Sequence, residues 1–430
     1  MVFTTAQSPL ETENAKIGTL LLAGLGGALE NYDFVIFALF ARVLAHIFFP
    51  PGIPEWLTLI QTFGIFAAGN LVRPVGGIVL AHYGDLLGRK RTFLFSILLM
   101  AIATLGIACT PTYASIGIGA PIVLLLFRIL QGAAMGGEMP GAWTFVAEHV
   151  ARRHLGFACG VLTSALAIGN LLGALAGILI NRLYQPAEIL AFAWRLPFLA
   201  GGILALLSVY LRRWLVETPI FKELQASKEL AVELPLKIVL RGHRGSILSS
   251  AALTLLLAVT IIVVFAMTPT LLQTRYGIDA ETSFEATSLA TTCLAASCVG
   301  FGILADLLGV GMFFVLGAPF LAACTYSLYA LLPGHPERLF PLYALVGLSA
   351  GVVSGVPWAL VQSFPPLVRF SGVAFSYNVA YAICSGVTPP LITLALRVDP
   401  LAHAHAVLLA CAVAFLSGAV RLCLGTRQTA

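Results

Sequence analysis

Apolar residues run through this chain in long blocks, broken at short intervals by polar joints rich in glycine and proline. Each block is about the ~20 residues that a helix needs to cross a bilayer. The pattern predicts twelve such helices. Helix 1 is placed at 17–41, helix 2 at 57–82, helix 3 at 92–110 and helix 4 at 120–147. Helices 5 and 6 follow at 155–181 and 194–215. Beyond a charged stretch come helix 7 at 246–273, helix 8 at 284–305, helix 9 at 312–332 and helix 10 at 339–362. Helices 11 and 12 take 370–397 and 402–423. The expected fold class is an all-α membrane protein, with the lipid bilayer as its first partner.

Twelve crossings put both termini on one side, and charge says which. Lys16, Arg89, Lys90, Arg91, Arg152, Arg153, Arg212, Arg213 and the cations of the charged stretch share the terminus-bearing face. The other face carries single arginines such as Arg42, Arg182, Arg275 and Arg397. Cations gather on the cytoplasmic side of membrane proteins. Both termini are therefore expected in the cytoplasm, below a bacterial inner membrane.

Composition narrows the function classes. With 59% hydrophobic and 10% charged residues, and a mean hydropathy of +0.96, the chain is too apolar for a soluble protein of its size. The net charge of +5 is spread over helix ends, so no nucleic-acid partner is expected. The first residues, MVFTTAQSPLETENAK, lack the basic start of a cleaved signal. Eight scattered cysteines form no C-x-x-C pair and read as small buried hydrophobes. Among the histidines only His403 and His405 are metal-spaced, and an outer-loop position should leave both solvated. No cluster of nucleophile, base or metal ligands stands at one depth, which argues against an intramembrane enzyme. The loops are too short for the signalling domain of a sensor.

The most informative joint is Gly76 to Arg91, GGIVLAHYGDLLGRKR. An apolar helix end turns through Gly84, Asp85 and Gly88 into the run Arg89, Lys90, Arg91. The two glycines permit a turn too tight for a side chain. This loop resembles the signature between helices 2 and 3 of the major facilitator superfamily, with acid, glycines and Arg-Lys pair at the expected spacing. YGDLLGRK around Asp85 recurs as LADLLGVG around Asp306, with Val310 and Gly311 where the cations would be. The repeat divides the chain into a six-helix bundle at 1–216, a cytoplasmic linker at 217–245 and a second six-helix bundle at 246–430. That is the internal-repeat architecture of secondary transporters. The linker reads as a surface segment against lipid headgroups, without chemistry of its own.

Further stretches narrow the resemblance. ALENYDF in helix 1, NLVRPVGG and AHYGD in helix 2, FRILQGAAMGGE and AEH in helix 4, AWRLPF at the start of helix 6 and WLVETPIF after it resemble the metabolite–proton symporter family. The likeness implies a monomeric symporter importing a small organic acid or zwitterion, with protons as the coupling ion and no other cofactor. An exporter of drugs, siderophores or metabolites by proton antiport is the alternative on the same fold. The chain departs from the family at Asn31 (usually aromatic), Phe37 (usually tyrosine), Met139-Pro140 (usually Tyr-Gly) and Gln362 (usually an acid). Asn31 and Met139 are thereby candidates to face the substrate cavity, and Arg369 loses a partner at Gln362.

Ionisable residues at bilayer depth cost about 2.5–3.5 kcal/mol even on the lenient scale, so they face a cavity or a partner. Five qualify: Glu30, Asp33, Arg73, Arg128 and Glu138. Glu30 and Asp33 share a face of helix 1. Counting from the outer ends puts Asp33 level with Arg128, and Arg73 level with Glu138. Both pairs are open to two readings, a staple between helices or a proton and substrate site. In the second, ionised Asp33 occupies Arg128, protonation frees the guanidinium for a substrate carboxylate, and Glu30 can receive the proton. Gln131, Tyr377 and Asn378 are softer candidates to bind a carboxylate. Pro140 should free the carbonyl of Gly136 four residues back. For the cytoplasmic gate, Asp85 is expected to accept from the start of helix 11 and Arg89, beside Lys90, to pair with Glu148. Asp306 is the counterpart of Asp85 in the second half.

Overall fold

Over its described residues every predicted span is helical in the computed structural model, which describes residues 9–212, 217–226 and 235–428; the expected end of helix 6, 213–215, lies outside them. Helix 1 covers Pro9–Leu39, starting ahead of its expected end because ETENAK is rich in helix formers. The short helix Ala41–Phe48 follows it. Helices 2 to 5 are Glu55–Leu87, Arg89–Cys109, Gly119–His149 and Leu155–Leu183. Helix 6, Arg195–Arg212, is entered through a π-turn, Ile189–Ala193, with a bend of 43°. Helix 7 runs Arg244–Thr260, a π-turn at Ile261–Met267, then Thr268–Arg275. Helices 8 and 9 are continuous as Ala280–Leu331 except at Gly309, whose φ of 76° breaks the helix. Fifty-two residues would reach about 78 Å, far beyond a ~30 Å bilayer core, so this turn separates two crossings. Helix 10 spans Leu339–Ser349 and Gly355–Gln362 around a 3-10 stretch. Helices 11 and 12 are Arg369–Ala395 and Ala402–Gln428. Twelve crossings result among the described residues.

In lipid there is no hydrophobic drive between helices, so close backbone approach supplies the packing. Helices 2 and 4 cross with Gly132 on Gly69 and Gly136 on Arg73 and Gly77; a methyl group at Gly132 would overlap the Gly69 carbonyl. The two halves meet where helix 2 lies against helix 11 and helix 5 against helix 8. At the second crossing Gly156 and Gly160 sit on Gly302 and Cys298. Aromatic cores fill each half: Phe37, Phe48, Trp194 and Phe198 in the first, Phe313, Tyr329 and Tyr343 in the second.

The start of the linker departs from its expected surface position. The linker's described parts form the helices Pro219–Ala226 and Pro235–Gly242. Thr218 and Phe221 are buried, packed under the signature loop, so the start of the linker is a structural member of that loop.

Candidate functional site

The intramembrane charges fall into two layers. The first lies inside the first half, between helices 1, 3 and 4. Asp33 accepts at Oδ2 from the Thr104 hydroxyl at 2.5 Å and from Gln131 Nε2 at 3.5 Å. Gln131 Nε2 also donates to Thr104 Oγ1 at 3.0 Å, while its carbonyl accepts from Arg128. Gln131 thus stands between the acid and the guanidinium, which were expected to meet directly. The Arg128 guanidinium lies 4.3 Å from the Phe37 ring centre and 4.9 Å from that of Phe66. Asp33, Arg128, Gln131 and Thr104 are all buried, and Asp33 Oδ1 has no hydrogen-bond partner. Gly201 of helix 6 makes room for that oxygen, since a side chain there would overlap it. The side chain of Glu30 lies outside the described residues.

The second layer lies between the halves. Arg73 of helix 2 faces the rings of Tyr381 at 5.0 Å and Tyr377 at 5.8 Å, both on helix 11. Trp143 of helix 4 packs edge-on to Tyr377, with centroids 4.8 Å apart. Asn378 donates to Gly136 O at 2.7 Å. That carbonyl is the one Pro140 cannot serve from its own helix, so the proline's missing N–H is answered from the other half. Glu138, two residues earlier, is buried as well. Two of the family departures turn out to be packing positions. Asn31 donates to Leu166 O of helix 5 at 3.0 Å, and Met139 is buried with its methyl against Gly27.

The third assembly closes the side that bears the signature loop. Ser371 N–H, at the start of helix 11, donates to Asp85 Oδ2 at 2.9 Å. Arg89 pairs with Asp85 at 3.3 Å and with Glu148 at 3.1 Å, and donates to Pro366 O at 2.6 Å. Glu148 also holds Arg369 at 3.2 Å and accepts from Thr218 at 2.7 Å. Arg369, left without an acid at Gln362, therefore takes its partner from the first half. Glu217 accepts the N–H groups of Arg89 and Lys90, each at 3.1 Å, capping helix 3 after Gly88 at φ 115°. In the second half Asp306 accepts from Gly156 N at 2.6 Å and Phe157 N at 2.8 Å, at the start of helix 5.

Thr104 and Glu217 were not singled out in the sequence. A threonine in an apolar helix is ordinarily silent, and Glu217 is a surface-type residue until its partner, 128 positions away, is known. A further expectation fails: His403 is buried, its ring 4.0 Å from that of Tyr329. Helix 12 begins at Ala402, which turns His403 inward and leaves His405 outside, paired with Asp399 at 2.7 Å. No metal-binding group is present among the described residues.

Comparisons with known proteins agree with this arrangement. A family model described as Major Facilitator Superfamily matches residues 35–389. A putative proline/betaine transporter of Staphylococcus aureus (strain COL) is 31% identical over 401 residues, 90% of this chain and 84% of the relative. A citrate-proton symporter of Klebsiella pneumoniae is 29% identical over 388 residues, covering 88% and 85%. Among solved structures, the proton:xylose symporter XylE bound to 6-bromo-6-deoxy-D-glucose superposes with a TM-score of 0.80 over 95% of both chains, at 18% identity.

Proposed function

The chain belongs to the major facilitator superfamily, and from that premise we propose that it is a proton-coupled symporter importing a small organic acid or zwitterion by alternating access. It works in a bacterial inner membrane with both termini in the cytoplasm, so the closed signature-loop side is the inner gate of an outward-facing state. The family and the relatives make it a membrane transporter acting on a small molecule rather than an enzyme. The finer reading draws on the Asp33 layer.

The carrying observation is that Asp33, Gln131 and Arg128 form a relay in which the acid and the guanidinium do not touch. With Asp33 ionised, the relay holds one negative and one positive charge. A proton on Asp33 leaves the cation of Arg128 uncompensated in a low-dielectric interior, where an approaching carboxylate is strongly attracted. Substrate binding favours protonation by the same factor, which is the reciprocity a symporter needs. Because Phe37 and Phe66 cover the guanidinium, the carboxylate reaches it only after helix 1 or helix 2 shifts. Gln131 transmits the change, since its two ends face the two charges. Arg73, held by tyrosines of the opposite half, lies where the halves must part.

The test is uptake and counterflow in proteoliposomes, using proline, glycine betaine, citrate and 2-oxoglutarate at two pH values. Asp33→Asn should retain exchange but lose pH-dependent accumulation, and Arg128→Gln should abolish binding. Accumulation by Asp33→Asn with wild-type pH dependence would overturn the proton assignment. Net efflux under an inward proton gradient would overturn import.

A further inference from the structure

On the side opposite the signature loop, a groove of about 510 Å³ separates the outer ends of helices 7 and 11. Its helix 7 wall is the stripe Ala266, Thr270 and Thr274, four residues apart and all exposed. Its other wall carries Thr393 of helix 11 and Arg397 just beyond that helix's end. The exposed large apolar residues of helix 11, among them Val387, Leu391 and Leu394, lie on a different face. In the groove, by contrast, three threonine hydroxyls stand beside the apolar side chains of Met267, Leu271 and Leu396.

The chemistry at the rim is one-sided. Arg275 donates one guanidinium N–H to Leu396 O at 3.1 Å and keeps its other donors, and among the described residues Arg397 forms no side-chain pair. No carboxylate lines the groove. Asp399, just beyond, is committed to Leu401 N–H at 2.9 Å and to His405 at 2.7 Å. The volume falls within the range of small-molecule sites, roughly 300–1,000 Å³. Two guanidinia present the planar fork that suits a carboxylate. At its inner end the groove reaches Ala266 and Met267 of the π-turn, a local departure from α-geometry of the kind found at functional sites.

We propose that this groove is a second, peripheral binding site, holding the carboxylate of a small organic acid or zwitterion on Arg275 and Arg397 before it enters the path between the halves. The identity of the ligand as a substrate rests on the transport reading above; the site itself does not. Because its cations are exposed, binding here is weak and salt-sensitive, and its contribution is local concentration and a faster encounter.

Titration calorimetry of citrate into the full chain tests this, in nanodiscs of neutral lipid and with Arg128→Gln present to disable the central layer. A binding event that weakens at least roughly tenfold between low salt and about 1 M salt, where screening acts within about 3 Å, is expected. Adding Arg397→Gln should remove it and Arg397→Lys should keep it. Thr393→Val, which leaves both cations, should weaken it only a few-fold, roughly one hydrogen bond. An event indifferent to Arg397→Gln, or no salt-sensitive event at all, overturns the proposal. So does phosphatidylglycerol retained through Arg397 in native mass spectrometry when citrate does not bind, since the groove is then a lipid site. Uptake assays separate the two readings. Groove binding without uptake of any carboxylate leaves this site and removes carboxylate transport. Arg128-dependent uptake with KM unchanged by Arg397→Gln removes this site alone.

Discussion

The two halves carry the same latch and furnish it differently. In each, a carboxylate in the last turn of the second helix of the half accepts from backbone N–H at the start of the fifth helix of the other half. In each, a positive-φ glycine follows that carboxylate by three residues, Gly88 after Asp85 and Gly309 after Asp306. The first latch adds two cations, a second acid and a linker cap, all bound to one another and with Asp85, Arg89 and Glu148 buried. Among the described residues Asp306 meets the helix 5 start and pairs with no cation, and it is only partly buried. A buried cluster of Asp85, Arg89, Glu148 and Arg369 is balanced in charge, so removing one member strands another. An isolated helix-cap carboxylate strands nothing. The first latch is thus an all-or-none device, and the second a graded one.

Removing a charge from the balanced cluster should have the largest effect. Arg89→Ala leaves buried Asp85 without a cation and Glu148 with Arg369 alone, at about 3–5 kcal/mol. That is roughly two to four orders of magnitude in the closed-to-open ratio on the signature-loop side. Cysteine labelling at the mouth beside the signature loop should rise sharply and transport fall while membrane insertion persists; unchanged labelling would end the latch reading.

The glycines give a matched pair. Gly88→Ala strains a positive φ and drives a methyl into Glu217, whereas Gly309→Ala meets open space. The first should cost the strain, about 1–3 kcal/mol, together with the helix 3 cap, and the second the strain alone. Thermal unfolding in detergent should separate the two, and equal losses would show that Glu217 contributes nothing. Glu217→Gln by itself keeps an acceptor oxygen but loses the charge, so about 1 kcal/mol is expected, read as a several-fold rise in labelling. Asp306→Asn should act least. Its remaining oxygen still accepts one N–H, and the loss of a surface-type charge at a helix start is worth about 0.3–1 kcal/mol. If Asp306→Asn matched Arg89→Ala in labelling, the cations would not be what distinguishes the latches.

How much of this was legible in the sequence varies with the range of the interaction. Asp85, Arg89, Glu148 and Asp306 were readable because a repeat, a loop signature and helix-end positions all pointed to them. Asp33 and Arg128 were readable as costly charges at one depth, but not their separation by Gln131. Depth along two helices says nothing of the rotation that sets which side chain stands between. Gly136 and Pro140 were half readable: local geometry frees the carbonyl, and only the fold brings Asn378 from helix 11 to accept the role. His403 was misjudged because one residue of helix phase decides whether a histidine near a loop faces in or out.

By itself the sequence determined the twelve crossings, their charge asymmetry and the division into two related halves. Those follow from the bilayer's demand for apolar length and internally bonded backbone, which acts on each segment separately. The tertiary structure alone decided which buried charge meets which partner. Contacts such as Glu217 with Arg89, Thr104 with Asp33 and Asn378 with Gly136 join residues 128, 71 and 242 positions apart. Such pairings depend on helix rotation and crossing distance, which small residues at Gly69, Gly132 and Gly160 set through backbone contact.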